Sequence, residues 1–218
     1  MKIPNKAFLF CGLFFLFSQS LVAQASNSGQ ALEQLVNKLN RISTFSASFV
    51  QYAVDQKGKR IQESRGELKA DRSGLFYWET FEPLQQTVVS DGKFVTVYDP
   101  DLEQATIQEI GHQAQTTPAI LFSGDTAKIG ENFSVELTSS ESRNQQFLLK
   151  PKTTESLFER LLVRFDGDNV QELRITDALG QESTMSFIET QVNQKFSSDT
   201  FKLELPKGTD IIRDVPVR

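Results

Sequence analysis

Between residues 66 and 106, β-prone runs and turn-forming residues alternate so regularly that an antiparallel meander is the simplest chain path. The runs at 75–78, 87–89 and 94–98 are separated by Ser73-Gly74, Glu82-Pro83, Asp91-Gly92 and Asp99-Pro100-Asp101. Asp-Gly between two alternating runs is a strong hairpin signal, because glycine accepts the positive φ of a type I′ turn. The pattern extends to both sides. Phe45, Ala47 and Phe49 alternate with Ser46 and Ser48, the period of a strand with one buried face. Further strands are predicted over 60–70, 104–110, 132–139, 145–150, 160–166, 172–176 and 183–190, with turns at 56–59, 166–169 and 178–180. Many short strands at even spacing predict an antiparallel sheet large enough to curl.

The period changes to that of a helix over 31–42, where Leu32, Leu35, Val36, Leu39 and Ile42 recur. Thr117 and Pro118 supply the N-cap and first position of a second helix reaching Phe122, ended by Ser123-Gly124. Residues 153–158 read as a further helical turn. With no repeat, linker or break in composition, one domain is expected. Its helices must bury their apolar stripes, and the concave face of the sheet is the one large site available.

The first residues point to export. Lys2 and Lys6 precede an apolar stretch of eleven residues, 7–17, and Ala23-Gln-Ala25 supplies the small-x-small pattern of a signal peptidase site. Eleven residues fall short of the ~20 needed to span a bilayer. Residues 1–25 are therefore read as a cleavable signal peptide, cut after Ala25 or Ala23, and residues 26–218 as the single domain. Cys11, the only cysteine, lies inside the leader, and Phe10 before it is too large for a lipoprotein acylation site. The mature chain then has no disulfide, zinc-thiolate site or thiol nucleophile, and its core alone must hold it together. Without Lys2 and Lys6, 21 basic residues face 28 acidic ones, a net charge of −7. That balance disfavours nucleic acid and anionic membrane as resting partners.

Catalytic chemistry has little to work with. His112 is the single histidine and no Gly-x-Ser-x-Gly elbow is present, so a hydrolytic triad would rest on one loop residue. One histidine and no mature cysteine leave only carboxylates for a metal. Asp99-Pro-Asp101 and Asp166-Gly-Asp168 lack calcium-loop spacing and read as turns. No glycine-rich loop joins a strand to a helix, so neither a nucleotide nor any other cofactor is expected, nor an enzyme.

Several segments in order and spacing resemble the LolA family of outer-membrane lipoprotein carriers. They are Phe45-Ser-Ala-Ser-Phe49-Val-Gln51, Gly66-Glu-Leu68, Arg72-Ser-Gly-Leu-Phe76-Tyr-Trp78, Val89-Ser-Asp-Gly92-Lys93 and Tyr98-Asp-Pro-Asp-Leu-Glu-Gln104-Ala-Thr106. Pro83, Gln86 and Phe201-Lys-Leu-Glu-Leu-Pro206-Lys-Gly208-Thr-Asp210 extend the match. The resemblance implies an α+β, mainly β fold: an incomplete antiparallel barrel under a lid of short helices, with an apolar cavity between. It also implies a monomeric carrier that takes lipoproteins from an inner-membrane ABC transporter, sequesters their acyl chains and passes them to an outer-membrane receptor of similar fold. The chemistry would be binding and transfer.

Within that frame the apolar residues acquire roles. Five of the 18 phenylalanines lie in the leader, leaving thirteen. Phenylalanine offers large apolar area with no polar group to satisfy, which suits a core or an acyl-chain cavity equally. Phe45, Phe49, Phe76, Trp78, Phe94, Ile120, Leu121 and Phe122 are the candidates for cavity wall and lid. Arg72 matches the family arginine that hydrogen-bonds the lid helices and latches the cavity, since five guanidinium donors can tie several carbonyls. Two departures from the family pattern stand out. Ser73 replaces the usual proline, which should leave the backbone there freer, and Thr96-Val97 replace a tryptophan. The alternative class is a periplasmic lipid or lipoprotein sensor that regulates envelope stress signalling, though such regulators usually carry a second domain. A small exported hydrolase using His112 is a third.

Overall fold

The computed structural model describes residues 20–109, 121, 126–154, 156, 158–197 and 199–214. Helix α1 (Ser20–Asn40) is followed by six consecutive strands: β1 (Thr44–Val54), β2 (Arg60–Asp71), β3 (Leu75–Glu82), β4 (Gln86–Asp91), β5 (Phe94–Asp99) and β6 (Gln104–Glu109). A short helix α2 (Ala127–Asn132) leads into β7 (Phe133–Glu141), β8 (Asn144–Pro151), β9 (Phe158–Asp166), β10 (Asn169–Asp177) and β11 (Glu182–Val192). Strand β12 (Asp210–Asp214) ends the described chain. No helix among the described residues is long and apolar enough to cross a membrane.

All twelve strands form one sheet in the order β12-β6-β5-β4-β3-β2-β1-β11-β10-β9-β8-β7. Every pairing is antiparallel except β12 with β6. The sheet does not close, because β7 and β12 are its two edges. It is an incomplete barrel, mainly β with few helices. Two hairpin meanders, β1–β6 and β7–β11, meet where β1 pairs with β11, and Phe45 packs edge-on against Phe187 beside this seam at 5.3 Å.

The turns form where short polar residues and glycine allow them. The Asp91 carboxylate accepts the N–H groups of Lys93 and Phe94, and Gly92 takes a φ of 87°. Lys93 is not in the left-handed region, so positive φ falls on the first central residue alone. That is the type II′ pattern, where the sequence led to the expectation of I′.

Helix α1 starts eleven residues before the predicted Ala31 and ends two before Ile42. Its buried face is Ala31, Leu35 and Leu39, four residues apart, with Ile42 following; Leu32 and Val36 are only partly covered. The helix packs on the concave side, and two side-chain hydrogen bonds tie it to the sheet. Ser28 Oγ donates to the Val135 carbonyl on β7, and Lys38 Nζ donates to Gly167 O in the β9–β10 turn. Among residues 153–158 no helix is found at the described positions: 152–154 form a bend and turn, and Phe158 already opens β9, where its ring stacks on Phe133 at 5.9 Å. Of the predicted helix reaching Phe122, Leu121 alone is described, as helical and buried.

Candidate functional site

Directly paired residues of neighbouring strands point to the same face, so the register assigns each candidate its side. Ala47, Leu68, Trp78, Val88, Val97, Thr106 and Ile212 form one continuous row across seven strands. Phe45, Ala70 and Phe76 stand in the next row towards the β2–β3 turn. This is the concave face, since Phe45, Ala47, Phe49 and Leu68 belong to the same buried core as Leu35 and Leu39 of α1.

Six of the candidates are brought together there. Phe45 and Phe49 are almost fully buried, and Phe76 and Trp78 are partly buried against the core. The Phe49 and Trp78 rings lie 4.5 Å apart and those of Phe76 and Trp78 6.1 Å apart. Leu121, buried, joins Leu39, Ile42, Phe45, Ala70 and Arg72 around a void of about 10 Å³. That is room for a single water at most, so side chains fill this end of the site at rest. Ile120, Phe122 and His112 lie outside the described residues.

Phe94 is a correction. It shares a face with Thr96 and Tyr98, and Thr96 pairs with Val89, which pairs with Tyr77. That is the opposite side of the sheet from Trp78. With a period of two, Val95 and Val97 take the inward positions on β5, and Phe94 instead lies under the Lys93 ammonium, 5.0 Å from its ring centre.

Gly66 shows how tightly β1, β2 and β3 meet. It pairs with Phe49 on one side and Thr80 on the other. A Cβ there would come 1.9 Å from Glu79 O and 2.6 Å from the Phe49 ring. The absent side chain is what lets Phe49 lie across β2 towards Trp78.

Arg72 sits in the β2–β3 turn at the C-terminal end of α1. Its Nη1 donates to Asn40 O at 3.0 Å and its Nη2 to Asn40 Oδ1 at 2.7 Å. The carbonyl is one of the helix's unpaired last four and carries partial negative charge, so a guanidinium suits it. Asn40 Oδ1 also accepts the Thr126 hydroxyl at 3.1 Å, which ties the residue preceding α2 to the same point. Asn193, at φ 61°, completes the arrangement. Its Oδ1 accepts from Ser43 N and Oγ, and its Nδ2 donates to Arg41 O. Neither Asn40 nor Asn193 belongs to an apolar period or a recognisable motif in the sequence. Their only signal is that asparagine, offering both donor and acceptor, lies just where two elements end. Ser73 is not freer for want of proline: its N–H and hydroxyl both donate to Asp71 Oδ1, at 2.8 and 2.6 Å.

On the outer face of β3, burial and the hydrogen bond to Glu79 push the Tyr77 phenol up to about 12. No group of three or more His, Cys, Asp or Glu among the described residues could hold a metal ion. Between α1 and α2 runs an open groove of about 380 Å³, lined by Leu32, Val36, Ala127 and Gly130 among others.

The model of the outer membrane lipoprotein carrier protein family LolA matches residues 40–204 of this sequence. The chain belongs to that family. An outer-membrane lipoprotein carrier protein of Hahella chejuensis is 42% identical over 207 residues, covering 94% of this chain and 99% of its own. One from Pseudomonas putida is 40% identical over 200 residues, covering 91% and 94%. Among solved structures, an uncharacterized conserved protein of Thermus thermophilus superposes with a TM-score of 0.54 at 14% identity, covering 85% of this chain and 99% of that one. That likeness concerns the fold alone. The family match contains the whole concave row except its β12 member, together with Arg72 and Asn40.

Proposed function

We propose that this protein carries outer-membrane-destined lipoproteins through the periplasm, holding their acyl chains on the concave face beneath the helices. The observation that carries the reading is family membership across that face, where the row from Leu68 to Val97 is apolar and mostly half-covered. Each CH₂ withdrawn from water adds ~0.8 kcal/mol, so an apolar surface that yields to a long chain is enough to bind it. The role is binding and transfer, as the family's carrier character implies.

Residues 1–25 are proposed as the export signal, leaving 26–218 as the carrier domain. Helix α1 runs through Ala23 and Ala25, so cleavage after Ala25 would leave it beginning at Ser26. The finer partners are an inner-membrane ABC transporter as donor and an outer-membrane receptor of similar fold as acceptor, with the carrier a monomer between them. Arg72 is proposed as the latch. Holding α1 and the residue before α2 at Asn40, it favours the shut state, and cargo exchange requires two lid states of comparable energy.

The test is release from spheroplasts loaded with labelled lipoproteins, with and without ATP. Soluble one-to-one complexes formed only with the protein and ATP are the expected result. Binding of an acyl probe without release would move the reading to a lipid sensor, and neither would sink the acyl-chain site. In the same assay Arg72→Leu should impair delivery more than loading. Equal loss of both steps would remove the latch role.

A further inference from the structure

The concave face is not uniformly apolar along the strands. Next to the Leu68–Trp78–Val88–Val97 row, away from Arg72, the inward positions turn polar. On β3–β6 the adjacent row holds Thr80, paired with Gln86, and Asp99, paired with Gln104; on β1 and β2 that row is still Phe49 and Gly66, and the polar pair Gln51–Ser64 follows one row further out. In the opposite direction the row is Phe45, Ala70, Phe76, Ser90 and Val95, which leads to the end closed by Arg72. The face therefore has a polar belt at one end and an apolar floor reaching towards the other.

We propose that this gradient gives the cargo a fixed direction: acyl chains run from the belt towards Arg72, and the polar root of the lipid, its glyceryl esters and attached cysteine, rests on the belt. The inference builds on the carrier reading above. Ester carbonyls accept hydrogen bonds and cannot donate them, so leaving them against Phe45 and Phe76 would strip them of water without replacement. The belt offers donors instead. Thr80 Oγ1 accepts the Trp78 indole N–H at 3.1 Å and keeps a proton to give; Gln51 Nε2 donates one proton to Ser183 Oγ and has a second.

The helices point the same way. Helix α1 is tied at Val135 on β7 and at Arg72, so its path leaves the belt end of β3–β6 aside. At that end Phe81 near the tip of β3, and Leu84 and Leu102 in the β3–β4 and β5–β6 turns, are exposed. A folded lipoprotein domain, far too large for the half-barrel, would leave the site across this edge.

Trp78 is the only tryptophan, and it provides the readout. The mature protein purified from periplasm would be mixed with a synthetic diacylglyceryl-cysteine lipopeptide brominated either near the esters or near the chain ends. Co-elution of the lipopeptide reports binding separately from quenching. Because Trp78 stands two residues, about 7 Å, from the Thr80 row, near-ester bromines should quench its fluorescence about twofold more strongly than distal ones. Thr80→Val combined with Gln86→Leu extends the apolar floor, and the stronger quenching should shift towards distal bromines. Co-elution with equal, absent or predominantly distal quenching in the unaltered protein would overturn the fixed direction, as would a double variant that leaves the pattern unchanged. No co-elution would overturn the carrier reading beneath it.

Discussion

Strands β7–β11 and the β3–β6 meander are built from the same alternation, yet their inward residues end in different surroundings. Phe147, Leu149, Val163 and Phe165 are wholly out of solvent, whereas Phe76, Trp78, Val88 and Val97 are only half-buried. The cause is the cover. Helix α1 makes its sheet contacts chiefly with β7 and contributes Leu35 and Leu39 to the core. The meander recovers burial on its other side, where Thr87, Val89 and Ala105 are enclosed. The link from β11 to β12 has to pass six intervening strands, and Phe201 is buried along it. One half is thus a stiff support, and the other keeps its concave face available. Interiors packed to native density exclude guests, so a carrier needs both kinds of region.

The contrast can be broken most severely where β1, β2 and β3 meet at Gly66. Gly66→Val should cost about 3 kcal/mol or more, since a backbone carbonyl and an aromatic ring both stand where the new atoms must go. Urea denaturation followed by Trp78 fluorescence would show it, and a wild-type midpoint would mean the β1–β3 contact is looser than described. Next, truncating each half in turn compares them directly. Phe147→Ala should lose about 3–5 kcal/mol as a buried ring removed from a filled core. Val97→Ala should lose about 1 kcal/mol or less, being half-covered already. Equal losses would erase the distinction.

A smaller effect concerns the tie between the halves. A double-mutant cycle of Arg72→Leu with Asn40→Ala should give a coupling of about 1 kcal/mol, and additive losses would show that the two side chains stabilise independently. The smallest effect is alkaline and confined to the meander. Burial and Glu79 favour the neutral Tyr77 phenol, raising it from 10.0 to about 12. That stabilisation is complete below pH 10 and is lost as pH rises towards 12. Tyr77→Phe should flatten stability over that window, and an unchanged slope would place the titration elsewhere.

Eleven of the twelve strands were legible from alternation and turn residues alone, because each pairs with a neighbour close in sequence or carries its own apolar face. Strand β12 was not, since Asp210–Asp214 is short and its partner β6 lies about a hundred residues away. The apolar period of α1 was visible only from Ala31 onward, because 20–30 is mostly small and polar. Phe94 was misplaced because a hydrophobic residue at a strand end does not declare its face; only the register with β4 and β6 does. Arg72 came from family resemblance, while its partner Asn40 depended on where a helix stops, which periodicity leaves uncertain by a residue or two.

The pairing of β1 with β11 also sets a timetable. Phe49 and Phe187 stand opposite each other across about 140 residues of chain. Bringing such distant segments together carries a large loop-closure cost and slows folding. A chain delivered N-terminus first, from a ribosome or through a membrane pore, can assemble β1–β6 early from local hairpins. The stiffening half must wait for the last third of the molecule to arrive. Until then the apolar row stands uncovered, so a passenger surface that serves the finished protein is a hazard to the nascent one.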